Sequence, residues 1–182
     1  ASGVLRRQAV SFFQGNRHLL SALVGSVMEA VPAEGTVLDL YAGVGLFSVS
    51  LAAAGRTGIV AVEGDRESGA DLLRNAAPWR AGLQARVAMV EDHLRRDRLR
   101  PATVIVDPPR AGLSREVLAA LPGLGAARIL YVSCDPPTMA RDARHLLDAG
   151  YRLASVAGFD LFPTTPHVES VALFQGQGDT HL

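Results

Sequence analysis

The chain has no lysine and only one cysteine, Cys134, among its 182 residues, and aromatic residues make up just 5% of it. One cysteine excludes an intramolecular disulfide and a zinc site built from several thiolates. No metal is therefore expected, and a reducing cytoplasm is the expected setting. All 18 basic side chains other than histidine are arginines and are matched by 18 acidic ones, so the formal net charge is zero. That balance removes the global signature of a nucleic-acid-binding protein. With abundant Ala and Gly, the missing lysine reads as the coding bias of a GC-rich, bacterial genome. No apolar run reaches the roughly 18 residues that would span a bilayer, and the N-terminus lacks the apolar core of a signal peptide. No membrane partner is expected, nor is any internal repeat, low-complexity block or second domain visible.

What is present is an alternation of short β-rich runs and helical stretches. Leu19, Leu20, Leu23, Val24 and Val27 recur at helical spacing between Arg17 and Val31, ahead of Pro32. Strands are predicted over Thr36–Leu40, Gly58–Glu63, Ala85–Val90, Thr103–Asp107, Arg128–Ser133, Arg152–Ala157 and Val168–Phe174. Helices are predicted over Leu46–Ala54, Glu67–Ala77, Ser114–Leu121 and Thr138–Ala149. The run Thr103-Val104-Ile105-Val106-Asp107 is too apolar for a half-exposed strand and argues for cover on both faces. Repeated β-α alternation predicts an α/β fold with a doubly wound, mainly parallel seven-stranded sheet and helices on both faces. One domain is expected over 17–175, after a lead-in of residues 1–16 and before a tail, 176–182. The opening Ala1-Ser2-Gly3 lacks a methionine and reads as a start inside a longer protein.

In such folds ligands sit at the carboxyl ends of the strands, and the chemistry-bearing residues fall there. Asp39-Leu40-Tyr41-Ala42-Gly43-Val44-Gly45 follows the first strand and opens a helix. Gly43 and Gly45 let the backbone turn sharply and approach a ligand. A dinucleotide fingerprint requires a third glycine where Ser48 stands, so the loop suits a nucleoside ligand without a pyrophosphate, such as S-adenosylmethionine. Glu63 ends the second strand, where a carboxylate accepts both hydroxyls of a ribose. Asp92 stands just past the third strand as a candidate adenine partner, or as a helix cap with Glu91. Asp107 closes the fourth strand, before Pro108 and Pro109 fix the backbone. Cys134 follows the fifth strand, where a thiol is either a nucleophile or a small buried hydrophobe.

Taken together, these residues resemble the S-adenosylmethionine-dependent RNA uracil-C5 methyltransferases of rRNA and tRNA. The segments are Ser11-Phe12-Phe13-Gln14-Gly15-Asn16, Asp39 to Gly45, Asp107-Pro108-Pro109-Arg110-Ala111-Gly112, Ser133-Cys134-Asp135-Pro136-Pro137 through Asp142, and Asp160 through Glu169. They run in the family's order over almost the whole chain. The resemblance implies a Rossmann-like class I methyltransferase fold, S-adenosylmethionine as cofactor and an RNA substrate. It also implies that Gln14 and Tyr41 are cofactor contacts, Glu63 the ribose partner and Asp107 a residue shared by the cofactor and uracil pockets. Cys134 matches the nucleophile and Glu169 the base. His167, beside Glu169, is expected to be structural.

The chain departs from the family pattern at two places. Asp135 replaces the usual Asn and puts a negative charge next to the thiol in sequence, so it either points away or disfavours ionisation. Leu46 replaces an Asn that touches the cofactor. Arg110 and Arg141 are candidate cationic neighbours of Cys134, or structural ion pairs. Larger members carry an N-terminal RNA-binding β-barrel and a substrate-recognition region; neither is expected in this chain, whose local basic clusters are Arg6-Arg7 and Arg95, Arg96, Arg98 and Arg100. Alternative readings are an exocyclic-amine methyltransferase of RNA or DNA, a non-catalytic S-adenosylmethionine- and RNA-binding module, and a nicotinamide oxidoreductase. Arg110, standing where amine methyltransferases carry an aromatic residue, weakens the first.

Overall fold

The computed structural model describes Leu5 and residues 17–160 and 168–176. Seven strands form one sheet in the order β3-β2-β1-β4-β5-β7-β6. They are β1 (Val37–Leu40), β2 (Ile59–Glu63), β3 (Leu83–Val87), β4 (Thr103–Val106), β5 (Arg128–Ser133), β6 (Arg152–Phe159) and β7 (Glu169–Gln175). The first five pair in parallel, whereas β7 runs antiparallel to both β5 and β6. Among the described residues the α-helices are α1 (Arg17–Ala30), α2 (Leu46–Ala53), α3 (Arg66–Ala76), α4 (Val90–Arg96), α5 (Arg115–Ala120) and α6 (Pro136–Asp148). This is the doubly wound α/β architecture expected from the alternation.

Strand residues point alternately to two cores. Val37, Ile59, Ala61, Ile105, Leu130 and Val132 face α1, α2 and α3. Leu38, Leu40, Val62, Val104, Val106 and Tyr131 face α4, α5 and α6. That is why Thr103–Val106 reads as continuously apolar: all four residues are buried, on one side of the sheet or the other. Burying each such aliphatic side chain contributes about 1.5–3 kcal/mol, and the central strands are the rigid part on which the loops at their ends are mounted.

Several element boundaries differ from the sequence expectation by a few residues, and one helix was not expected. β3 ends at Val87 rather than Val90. It is an edge strand, so Val87 and Met89 are exposed, while buried Val90 begins a helix, not a strand end. The charged stretch after it forms α4, with Glu91 and Asp92 in its first turn and Arg95 and Arg96 in its last, which suits the helix dipole. Helix α6 begins at Pro136 instead of Thr138. Its prolines stand in the first turn, where a missing N–H leaves no bond unmade, and Asp135 caps it by accepting the Thr138 N–H at 2.9 Å.

Two polar devices join β1 to α2. Gly45 caps the helix at φ 96°, and a Cβ there would lie 2.8 Å from Val49 and 2.9 Å from Leu72 of α3. Behind the loop, fully buried Asp39 accepts the Ser48 N–H at 3.1 Å. Burial pushes its carboxyl up from 3.8 to about 7, against the opposing hydrogen bonds from Ser48; the Glu63 charge adds to the rise.

Gly45→Ala is expected to destabilise the fold by about 1–3 kcal/mol through left-handed strain and overpacking against Leu72. Thermal unfolding would register this as a drop of roughly 2–4 °C per kcal/mol. Asp39 generates a pH dependence. Its folded-state proton affinity exceeds that of the unfolded chain, so the stability it contributes is present below 3.8 and lost as pH rises through about 7. Asp39→Asn, which cannot ionise, should gain melting temperature relative to the native chain between pH 4 and pH 8; a constant difference across that range would contradict the assignment.

Candidate functional site

A cavity of about 430 Å³ opens where the strand order reverses, at the carboxyl ends of β1 and β4. Five connections bring residues to it: the turn after β1 (Tyr41, Gly43), the end of β2 (Glu63), the loop after β4 (Asp107, Arg110), the turn after β5 (Cys134) and the start of β7 (Glu169). The reversed direction of β7 matters here. Ser133 pairs with Ser170 across the β5–β7 ladder, so the next position along β5, Cys134, and the preceding one along β7, Glu169, fall at the same end of the sheet. A seventh parallel strand would have carried its first residue to the opposite end.

The glycine loop is already satisfied by the protein's own carboxylates. Glu63 accepts the Gly43 N–H through Oε2 and the Asp65 N–H through Oε1, each at 2.7 Å. Asn75 fixes the loop from below, donating from Nδ2 to the Val44 carbonyl at 2.8 Å. A side chain at Gly43 would meet nothing within 4 Å, so the glycine keeps that part of the cavity open. Gly45, expected to bring backbone near a ligand, does not line the cavity; its hydrogen is needed for packing against α3. Tyr41 adopts φ 60°, a left-handed conformation that is strained for a bulky residue. Burial, helped by Glu91, Asp142 and Glu63, raises its phenol above the ordinary range and keeps it protonated.

Three acidic groups, Glu63, Asp107 and Glu169, stand in an otherwise mainly apolar lining. Asp107 is pushed well above the ordinary carboxylate value by burial, then by the charges of Glu169, Asp39 and Glu63. Glu169 itself is 1% exposed. The Cys134 thiol is raised by burial and by Glu169, with Asp107 adding to the rise; the positive charge of Arg110, which lines the same cavity, opposes them.

Of the two candidate cations, Arg110 is therefore the thiol's neighbour. Arg141 instead pairs with Asp142 and donates to the Ala111 carbonyl at 3.0 Å. Asp135 caps α6 by accepting the Thr138 N–H, and it is not among the charges that shift the Cys134 thiol. Asp92 does not line the cavity; it is paired with Arg95 on α4. Leu46 does line it, and so do Phe47 and Ser68, which sequence reasoning missed. The Asp65-x-x-Ser68 cap pattern, with Asp65 accepting the Ser68 N–H at 2.8 Å, was the signal that placed Ser68 beside Glu63. Arg100 donates to the Gly123 carbonyl and its own carbonyl faces Thr36, which puts this part of the arginine cluster at the end of the sheet opposite the cavity. Gln14 and His167 lie outside the described residues, as do the first motif and residues 161–167.

The donor set discriminates between ligands. A pyrophosphate needs free amides at the glycine loop and helix N-terminus, but Gly43 and Ser48 already give theirs to Glu63 and Asp39. A cavity bordered by Glu63, Asp107 and Glu169 suits a cation carrying a ribose.

Residues 84–177, just over half of the chain, match the model of the tRNA (uracil-5-)-methyltransferase family. An uncharacterized RNA methyltransferase of Bifidobacterium longum is 36% identical over 163 residues, covering 86% of this chain and 37% of the relative. The 23S rRNA (uracil(1939)-C(5))-methyltransferase of Pseudomonas fluorescens is 38% identical over 178 residues, covering 92% of this chain and 37% of the relative. Among solved structures, the tRNA (uracil-54, C5)-methyltransferase of Pyrococcus abyssi in complex with S-adenosyl-L-homocysteine superimposes with a TM-score of 0.80 at 36% identity, over 91% of this chain and 40% of that one. The chain thus spans about two fifths of the length of these relatives, and its sheet is the expected class I methyltransferase fold. By the match of its second half to the family model, the chain belongs to the tRNA (uracil-5-)-methyltransferase family.

Proposed function

We propose that the protein methylates carbon 5 of a uridine in rRNA or tRNA, using S-adenosylmethionine and a covalent adduct between Cys134 and the uracil ring. The observation that carries this reading is the convergence of a thiol, a guanidinium and two carboxylates, Cys134, Arg110, Asp107 and Glu169, on the cavity that the glycine loop and Glu63 also line. An exocyclic-amine methyltransferase has no use for a thiol at that place.

Glu63 would hold the ribose hydroxyls through the lone pairs its backbone bonds leave, while Tyr41 and Gly43 border the same ligand. When bound, S-adenosylmethionine supplies an electrophilic methyl group and a positive charge. Carbon 5 of uracil is too weak a nucleophile to take that methyl unaided. The Cys134 sulfur therefore adds to carbon 6, forming a C–S bond and moving electron density onto carbon 5. After methylation carbon 5 still bears its proton. Glu169 takes it, the C–S bond breaks with its electron pair returning to sulfur, and the ring regains its double bond. Arg110 favours the thiolate at the start and at the end of this sequence, opposing the burial and the acids that hold the thiol protonated. Asp107, whose proton affinity is raised by burial and by its acidic neighbours, can in its protonated form donate a hydrogen bond to a uracil carbonyl. RNA capture draws on surfaces beyond the cavity, since Arg100 stands at the far end of the sheet.

Incubating the full-length protein with S-adenosylmethionine and RNA containing 5-fluorouridine tests the adduct, because fluorine at carbon 5 cannot leave as a proton. A denaturing gel should retain a protein–RNA band that is absent in Cys134→Ala. Glu169→Gln is expected to turn over about 10²–10⁴-fold more slowly and to accumulate the same band on ordinary uridine RNA. Full methyl transfer by Cys134→Ala would sink the mechanism in favour of amine methylation. Calorimetry with S-adenosylhomocysteine and with NAD checks the cofactor, and tight NAD binding with no response to the other ligand would overturn it.

A further inference from the structure

Two of the sequence motifs contain residues that the chemistry above leaves unused: Ala111-Gly112 after Arg110, and Arg141-Asp142 within α6. The structure puts them in contact. Asp142 is completely buried and does not line the cavity. Its Oδ2 accepts the Tyr131 hydroxyl at 2.7 Å and the Leu113 N–H at 2.8 Å, and its Oδ1 accepts the Arg141 Nε–H at 2.8 Å. Arg141 in turn donates from Nη2 to the Ala111 carbonyl at 3.0 Å.

We propose that Asp142 is a positioning residue: with Arg141 it clamps the loop bearing Asp107 and Arg110 onto the two elements that flank Cys134, and so holds Arg110 on the side of the cavity that the thiol shares.

The clamp reaches each element concerned. Tyr131 belongs to β5, three residues before Cys134, and α6 begins two residues after it. Ala111 and Leu113 are the far end of the loop that leaves β4, with the turn closed on itself by the Gly112 N–H to the Pro109 carbonyl at 2.8 Å. Gly112 has φ 80°, and any Cβ there would collide with Thr138, Asp142 and Arg141. Loop backbone and helix therefore approach as closely as the absence of a side chain allows. Arg110 precedes the pinned Ala111 carbonyl by one residue and is itself exposed. An arginine has many rotamers, and fixing its backbone removes much of the freedom that would otherwise take its guanidinium away from the thiol. A carboxylate suits the task because it offers only acceptors to donors from a strand, a loop and a helix. An asparagine would turn an N–H₂ toward at least one of those donors.

The proposal gains its catalytic meaning from Cys134 being the nucleophile, but its test does not require methyl transfer. Iodoacetamide alkylation of the Cys134-containing peptide, followed by mass spectrometry as a function of pH, is compared in the native protein, Arg110→Ala, Asp142→Asn and the double variant. Asp142→Asn that retains the native circular dichroism spectrum and melts above the assay temperature should move the profile to higher pH and slow alkylation at pH 8 roughly three- to tenfold. The double variant should be no slower than Arg110→Ala alone, because Asp142 acts through that guanidinium. If Asp142→Asn does not fold, Arg141→Gln removes the anchor on the Ala111 carbonyl and the ion pair with Asp142 but leaves the Tyr131 and Leu113 bonds to Oδ2, and should give a smaller shift in the same direction. An unchanged profile in a folded Asp142→Asn or Arg141→Gln variant overturns the proposal, and so do additive effects in the double variant.

Discussion

The register between β5 and β7 is the constraint on which the site depends. With Ser133 set opposite Ser170, the thiol just past β5 and the carboxylate opening β7 stand at one end of the sheet. The ladder that fixes this register is buried from Ile129 to Ser133 and from Glu169 to Ala172. A slip of one residue would turn every side chain of β7 to the other face of the sheet, moving Val171, Ala172 and Phe174 out of their cores. Hydrophobic packing thus holds the geometry of two polar groups that contribute little to stability themselves.

A second constraint is electrostatic. Glu63, Asp107 and Glu169 border one cavity with Asp39 behind it, and each raises the proton affinity of a neighbour. A protein tolerates such a cluster where something positive completes it. Arg110 does so on the side of the thiol. The glycine loop, whose amides in dinucleotide-binding proteins are left for phosphate, here spends them on Glu63 and Asp39. The missing third glycine and the occupied amides are two expressions of one preference, for a cation over an anion.

Strand ends were the legible part of the sequence. Glu63, Asp107 and Cys134 could be singled out because each ends or follows an apolar run, and an α/β sheet collects such positions at one edge, whereas Tyr41 and Glu169 are named only through the family resemblance. What spacing along a single element does not reveal is which residues meet across elements. Asp142 reads as one more polar residue of an amphipathic helix, yet it is buried among donors from β5 and the loop after β4. Gly45 looked like a ligand-loop glycine because its counterpart across α2, Leu72, is far away in sequence. Asp135 was ambiguous beside Cys134, although the pattern Asp135-Pro136-Pro137-Thr138 carries a capping signal that fixes its direction. The β3 boundary slipped because Val87, Ala88, Met89 and Val90 are equally apolar, while only Val90 is buried.

The environment of Cys134 has a consequence for the lifetime of the protein as well as for its chemistry. Oxidants such as hydrogen peroxide attack the thiolate, and the first product, a sulfenic acid, leads on to species that cannot be reduced back. Burial and Glu169 favour the protonated form of the Cys134 sulfur, and a thiol reacts with such oxidants more slowly than a thiolate. The chain has no second cysteine to resolve a sulfenic acid as an internal disulfide, so oxidation of Cys134 could not be reversed within this chain by thiol exchange.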